Sequence, residues 1–154
     1  MATSTQLKNA KDLSREAPRS PRQRLGGYVI MARMIDKGRA TIADKEGEYH
    51  YACPMDQRFL AFAGIDSEAL KQQLAAGKGD WEILEWINAN SITKPKQTDI
   101  LAWSAMQERR VPADPESRAY FNELHSKVAQ HREDIETWFD LLDLDDYVSF
   151  GGNA

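Results

Sequence analysis

The densest group of chemically versatile side chains in the sequence lies between Tyr49 and Arg58. This segment holds two tyrosines, a histidine, an aspartate and an arginine, a combination typical of loops that bind ligands. His50 or Asp56 could transfer a proton if a reaction occurs there. The structural alternative is that the tyrosines pack in the core and that Asp56 caps the helix it begins. The sequence leaves both interpretations open.

Arginines surround a second segment with potential for chemistry, at Ser20–Pro21. Serine followed by proline is a strong signal for the start of a helix. A helix beginning there would present free N–H groups and a positive dipole end beside Arg19, Arg22 and Arg24, which together could bind a phosphate or a carboxylate. The alternative is an ordinary helix cap whose arginines form ion pairs with the acidic part of the same chain.

Together the two segments predict a polar pocket for a small anionic ligand, provided that the fold brings them together. In this hypothesis the arginines fix the charge of the ligand and the tyrosines form the walls, in an enzyme or a sensor. No catalytic residue is assigned, and whether the protein is an enzyme stays open. The predicted ligand-binding residues are Arg19, Arg22, Tyr28, Tyr49, His50, Tyr51, Asp56 and Arg58.

Other kinds of site have weaker support in the sequence. Cys53 is the only cysteine and lies three residues from His50. On an extended segment these two side chains point to opposite faces, which favours a small buried hydrophobe over a catalytic nucleophile. His125 and His131 lack the spacing of metal ligands, and the glycine patterns of nucleotide-binding loops do not occur. The sequence therefore predicts neither a metal site nor a cofactor.

Charge is unevenly distributed along the chain. Residues 1–39 contain nine Lys/Arg and three Asp/Glu, whereas residues 40–154 contain 11 and 21, for a net charge of −4. A net negative charge disfavours a nucleic-acid partner, because nucleic-acid-binding domains are usually basic. The basic segment could instead lie across the acidic part of its own chain. The alternative function is a non-enzymatic interaction or self-association module, which would use the acidic C-terminal face, residues 133–154, or the basic arm.

Helical periodicity extends over most of the 154 residues. Apolar residues at spacings of three and four predict a largely buried first helix that starts at Ser20–Pro21 and contains Gly26–Gly27. Residues 40–43 could either end this helix or form half of a short hairpin with residues 48–51, and the helix is favoured. The predicted fold is all-α, a compact single-domain bundle of about six or seven short helices, with room for one short hairpin.

Local signals mark the beginning and end of later helices. Asp66 and Asp114 each stand where a helix cap is expected. Without interruption, the last periodic stretch would form a rod of about 43 Å, too long for a compact domain of this size. A break near residues 130–132 is therefore expected. The domain is predicted to comprise residues 18–150, preceded by a basic arm, residues 1–17, that is mobile or lies across the domain.

The expected location is the cytoplasm. No stretch approaches the roughly 18 apolar residues of a membrane span. Residues 1–11 are polar and lack the apolar centre of a secretory signal. One cysteine excludes a disulfide within the chain, which is compatible with a reducing compartment.

Three stretches carry a resemblance to a known family. They are residues 12–40 (DLSREAPRSPRQRLGGYVIMARMIDKGRA), 47–66 (GEYHYACPMDQRFLAFAGID) and 114–121 (DPESRAYF). The chain resembles the bacterial family catalogued as domain of unknown function 5069, over residues 12–143. The resemblance implies a bacterial, cytoplasmic protein of one domain. It implies no reaction, ligand or catalytic residue, because the family is uncharacterised.

Overall fold

The protein is a bundle of seven helices in the computed structural model, which describes residues 10–154. The helices are α1 Met31–Ile42, α2 Pro54–Ala63, α3 Ser67–Ala75, α4 Asp80–Asn90, α5 Gln97–Glu108, α6 Pro115–Ala129 and α7 Trp138–Ser149. No strand occurs among the described residues, and residues 40–42 belong to α1 rather than to a hairpin. The prediction of an all-α bundle is therefore confirmed. None of these helices is long and apolar enough to cross a membrane.

The predicted start of the first helix at Ser20–Pro21 is wrong, because α1 begins at Met31. Gly26 and Gly27 explain the difference. Their φ angles are +60° and +88°, and two successive residues with positive φ make a tight turn rather than a helix. A methyl group on Gly27 would also come within 2.8 Å of the side chain of Gln97. The glycine pair is therefore the turn that ends the N-terminal segment and leads into α1.

Backbone groups and a buried hydroxyl hold this turn in place. Leu25 and Tyr28 exchange two backbone hydrogen bonds, of 3.0 and 3.1 Å. Ser104 of α5 donates to the carbonyl of Gly27 at 2.6 Å and accepts from the N–H of Val29 at 3.1 Å. Since no helix begins at Ser20–Pro21, the dipole argument for an anion site at that position no longer applies.

Predictions from helix caps hold at two other helices. The side chain of Asp66 accepts from the N–H of Ala69 at 2.9 Å, and that of Asp114 accepts from the N–H of Ser117 at 2.7 Å. The expected break in the last periodic stretch is also present, between the end of α6 and the start of α7. Sequence-local signals therefore place these elements correctly.

α1 lies in the core and is buried along most of its length, including Met34 and Ile35. Before it, Tyr28 is 1% exposed and packs edge-on against Phe59 of α2, with ring centroids 5.1 Å apart. The same helix also buries three charged side chains, Arg33, Asp36 and Lys37. A buried charge is costly unless it is paired, so each of these groups needs a partner from another element.

The N-terminal arginines pair with acidic side chains elsewhere in the bundle. The pairs are Arg19 with Asp36 and Asp80, Arg22 with Asp140 and Asp143, and Arg24 with Glu108. The basic segment thus forms the internal ion pairs of the alternative interpretation. Leu13, in the same N-terminal segment, is buried, and its N–H donates to the carbonyl of Lys45 at 2.8 Å. Residues 1–9 of the predicted arm lie outside the described part of the chain.

Asp80 gives these ion pairs a pH dependence. Its burial raises the pKa of the carboxyl, but hydrogen bonds of 2.7 and 3.2 Å from Arg19, and the charge of Arg39, hold the pKa below the usual 3.8. A lowered pKa stabilises the fold above about pH 4, and this stabilisation is lost as the pH falls through the folded-state value. We expect Asp80→Asn to lower the free energy of unfolding by about 1 kcal/mol at neutral pH, and by less below about pH 4. Urea unfolding across this range is the measurement, and a loss independent of pH would contradict the assignment.

Candidate functional site

A cavity of about 760 Å³ lies between residues 47–55 and helices α6 and α7. Its volume falls in the range of pockets that hold small organic ligands. Apolar and aromatic side chains form most of the wall: Leu13, Pro54, Met55, Tyr120, Leu124, Val128, Trp138, Leu141, Leu142 and Phe150. Such a wall suits the apolar body of a ligand rather than a bare inorganic ion.

Titratable groups from three elements complete the wall. They are Arg33 and Lys37 of α1, Glu48, Tyr49, His50 and Cys53 of the segment before α2, and Asp145 of α7. Arg33 and Lys37 are each 4% exposed, whereas Glu48 and Asp145 are exposed. The buried titratable groups of the wall are therefore two cations, each paired with a buried carboxylate behind it, and the acidic groups of the wall itself lie toward solvent.

Asp146 of α7 fixes Arg33 and Tyr49 in the wall. Arg33 donates two hydrogen bonds to its carboxylate, at 2.6 and 3.3 Å, and the Tyr49 hydroxyl donates one at 2.7 Å. The guanidinium also lies over the Tyr49 ring, 5.4 Å from its centroid. Burial lowers the pKa of Arg33, but Asp146 more than offsets this and the net shift is upward, so Arg33 stays charged. Burial and the bond to Asp146 raise the pKa of Tyr49, so its phenol stays a neutral donor.

Lys37, Asp56 and Cys53 form a second charged group. The ammonium of Lys37 lies 2.8 Å from Asp56 Oδ2 and donates to Cys53 Sγ at 3.3 Å. Asp56 is 1% exposed, and this oxygen has no hydrogen bond of good geometry within residues 10–154, so the charge of Lys37 compensates its burial. Asp56 does not cap α2, contrary to one interpretation of the sequence. Cys53 occupies the N-cap position, and Asp56 lies in the first turn.

The structure brings two of the predicted ligand-binding residues, Tyr49 and His50, to the cavity wall. Asp56 connects to the cavity only through Lys37. Tyr51 points elsewhere, since its hydroxyl donates to the carbonyl of Ser67 at 2.7 Å. Tyr28 is part of the hydrophobic core. Of the three tyrosines predicted to form the walls of the pocket, only Tyr49 lines the cavity.

The predicted arginines do not line this cavity. Arg19 is held by its ion pairs to Asp36 and Asp80, and Arg58 is exposed on α2. Arg22 lines a separate cleft of about 320 Å³ together with its partners on α7. The cations that face the tyrosine-containing segment come from α1 instead.

Three residues of the site were missed by the sequence interpretation: Arg33, Lys37 and Asp146. A signal for the first two was present, because they lie one turn apart in a helix predicted to be largely buried. A charge on such a helix has to face a partner or a cavity. Asp146 offered no comparable signal, since it is one of seven acidic residues between positions 133 and 146.

Comparison with known families gives one result. The family model described as a domain of unknown function, DUF5069, matches residues 15–148. The chain belongs to the DUF5069 family. The match includes six complete helices and all but the last residue of α7, so Arg33, Lys37 and Cys53 all lie within the DUF5069 region. No match was found among curated proteins.

The cavity of this DUF5069 chain presents a limited set of reactive groups. Within residues 10–154, no three His, Cys, Asp or Glu side chains are arranged to hold a metal ion. At the rim, desolvation and the neighbouring charge of Asp146 raise the pKa of Asp145. The cavity wall therefore presents an apolar surface, the ammonium of Lys37, the guanidinium of Arg33 and Cys53.

Proposed function

We propose that this DUF5069 domain binds a small organic anion with an apolar body. The observation that carries the proposal is an apolar cavity with two buried cations in its wall. Each methylene group that a ligand buries contributes about 0.8 kcal/mol, so the wall provides affinity for a chain or a ring. The cations provide the preference for a negative charge.

Lys37 is the group best suited to bind the anionic end of the ligand. An ammonium has three hydrogens to donate, and its contacts with Asp56 and Cys53 use two of them. The third can donate to a carboxylate in the cavity. Arg33 has less capacity, because its guanidinium already bonds Asp146 and the carbonyl of Arg19. Lys37 therefore binds the charge, whereas the charge of Arg33 is already paired with Asp146.

The acidic residues at the rim do not cancel the preference for an anion. Glu48 and Asp145 are exposed, so water and salt screen their charges. Lys37 and Arg33 are buried together with their partners Asp56 and Asp146, so each pair is neutral overall, and a ligand anion gains from the N–H groups that the pairs leave free. The anionic end of a ligand is consequently favoured inside, and the apolar body packs against α6 and α7.

Decanoate and decanol test both parts of the proposal, because they share the chain and differ in charge. We expect decanoate to bind at least about tenfold more tightly than decanol, the effect of one charge-assisted hydrogen bond. Val128→Trp, which fills the cavity from α6, should weaken decanoate binding by at least about tenfold. The measurement is the chemical shift of the indole N–H of Trp138, a residue of the wall.

Met106→Trp is the matched control for the added indole. Met106 is exposed on α5 and does not line the cavity, so decanoate should bind this variant as it binds the unmodified protein. Equal affinity of decanoate for the Val128→Trp and Met106→Trp variants would overturn the proposal. Equal affinity for decanoate and decanol would overturn the preference for an anion.

The alternative function, an interaction module with an acidic C-terminal face, has less support. Three carboxylates of that face, those of Asp140, Asp143 and Asp146, bind arginines of the same chain. They are therefore less available to a partner than the sequence suggests. The small-ligand proposal uses groups that face a cavity of suitable size.

A further inference from the structure

We infer that Cys53 is a nucleophile assisted by Lys37, and that the cavity delivers to it α,β-unsaturated carbonyl compounds with an apolar chain. The inference rests on the proposed function, because it assigns a chemical class to the ligand of the same cavity. It goes further by giving the cavity a covalent step.

Three features of Cys53 support a nucleophile. Its thiol lines the cavity and is neither fully buried nor fully exposed, so a bound ligand can reach it. Its Sγ accepts a hydrogen bond from the Lys37 ammonium at 3.3 Å. It is also the N-cap residue of α2, a ten-residue helix. The free N–H groups at the start of a helix favour a negative charge nearby. Reactive cysteines occur in such electropositive, partly exposed surroundings.

The group that contacts the thiol is not His50, whose pairing with Cys53 the sequence disfavours. His50 is the neighbour along the chain, but the contact to sulfur comes from Lys37 on α1. Asp56 holds Lys37 in this position, because its Oδ2 lies 2.8 Å from the same ammonium nitrogen. The three side chains are thus arranged as a nucleophile, a charge that assists it and a group that orients the charge.

The reaction is a conjugate addition, which needs no oxidant or reductant. Sulfur forms a bond to the β-carbon, and the π electrons of the C=C bond move to the α-carbon and its carbonyl. The thiol loses one proton, and the α-carbon gains one, so the product contains all atoms of both reactants. The Lys37 ammonium stabilises the sulfur as it loses its proton and attracts the negative carbonyl oxygen as it forms.

The ligand class follows from the groups around the thiol. A soft sulfur nucleophile favours a soft carbon electrophile over a hard one. The apolar wall favours a chain of several carbons, and the two buried cations favour a carbonyl or carboxylate oxygen at the reactive end. An enone, enal or unsaturated acid with an alkyl chain meets all three requirements.

N-Ethylmaleimide and N-hexylmaleimide test the inference, because both carry the same unsaturated carbonyl group and differ only in the chain. Cys53 is the only cysteine, so one adduct in the intact mass reports its modification. We expect N-hexylmaleimide to react at least about ten times faster than N-ethylmaleimide with the protein, but equally fast with glutathione. Val128→Trp should abolish the chain preference, and Met106→Trp should preserve it.

The role of Lys37 is tested with a double variant that leaves no buried charge without a partner. Lys37→Met combined with Asp56→Leu removes both members of the pair, which is less disruptive than removing one. The probe is the ratio of the alkylation rates by iodoacetate and iodoacetamide, which differ in charge. This ratio should fall by about tenfold, toward the value for glutathione, if the ammonium lies beside the sulfur and attracts the negative end of the reagent. A merely structural role of Lys37 would change both rates together and leave the ratio unchanged.

The failure of this inference can be distinguished from the failure of the proposed function. If decanoate binds in the cavity but neither maleimide reacts with Cys53 faster than with glutathione, the nucleophile is overturned and the binding function stands. If decanoate does not bind and the chain preference is absent, the cavity is not a ligand site and both proposals are overturned. A chain preference that Val128→Trp abolishes, with a charge ratio that depends on Lys37, supports both.

Discussion

Asp146→Ala is expected to lower the free energy of unfolding by about 3–5 kcal/mol, the cost of leaving a buried charge without its partner. The substitution removes both hydrogen bonds that Arg33 donates to the carboxylate and the one that Tyr49 donates. Arg33 is 4% exposed and cannot replace them with water. Domains of this size have about 5–15 kcal/mol of stability in total. The midpoint of urea unfolding, followed by circular dichroism, should therefore fall sharply.

Asp143 provides the matched control, three residues earlier on α7. Its carboxylate accepts from Arg22 and from the hydroxyl of Ser20, but Arg22 is an exposed side chain. Asp143→Ala should thus cost at most about 1 kcal/mol. Combining Arg33→Met with Asp146→Leu removes both buried charges and should recover most of the lost stability. Equal losses from the two single aspartate variants would show that burial does not distinguish these ion pairs.

The bundle was predictable where a few neighbouring residues decide the structure. Asp66 and Asp114 cap their helices through N–H groups three residues further along the chain. A prediction of this kind needs no knowledge of the rest of the fold. The same is true of the periodicity of apolar residues, which distinguishes a helix from a strand over a dozen positions.

The start of the first helix was not predictable in this way, because distant residues override the local signal. Ser20–Pro21 has the composition of a helix start, yet Ser20 donates its hydroxyl to Asp143 of α7. Ser104 of α5 bonds the carbonyl of Gly27 in the glycine turn and the N–H of Val29 just after it. Contacts across more than 70 positions therefore favour the turn, and the sequence near the turn carries no sign of them.

The candidate site was predictable only in part, for a related reason. Tyr49 and His50 belong to a conspicuous cluster, and they do line the cavity. The sequence predicts that the N-terminal arginines bind the charge of the ligand, because arginines are concentrated there. Burial decides the matter instead: Lys37 and Arg33 are buried and line the cavity, whereas Arg19, Arg22 and Arg24 are paired with acidic side chains away from it. Burial is a property of the assembled fold and cannot be read from local density of charge.

Asp56→Asn separates two roles for the first turn of α2 and is expected to cost about 3–5 kcal/mol of unfolding free energy. The amide keeps the size of the side chain but no longer compensates the charge of Lys37, which is 4% exposed. If Asp56 were a helix cap, the same substitution would be nearly neutral, because asparagine caps as well as aspartate does. Asp66→Asn supplies that comparison, since Asp66 is a cap in the structure, and it should cost no more than a few tenths of a kcal/mol. Urea unfolding of the two variants is the measurement.

The same variant connects stability to ligand binding. With Asp56 neutral, the ammonium of Lys37 lacks a negative partner, and an organic anion in the cavity can provide one. Decanoate should therefore raise the melting temperature of Asp56→Asn more than that of the unmodified protein, because a ligand stabilises the state that binds it more tightly. Decanol should raise both by the same small amount. If decanoate raised both equally, Lys37 would not be the group that binds the anion, and the cation of the site would have to be Arg33.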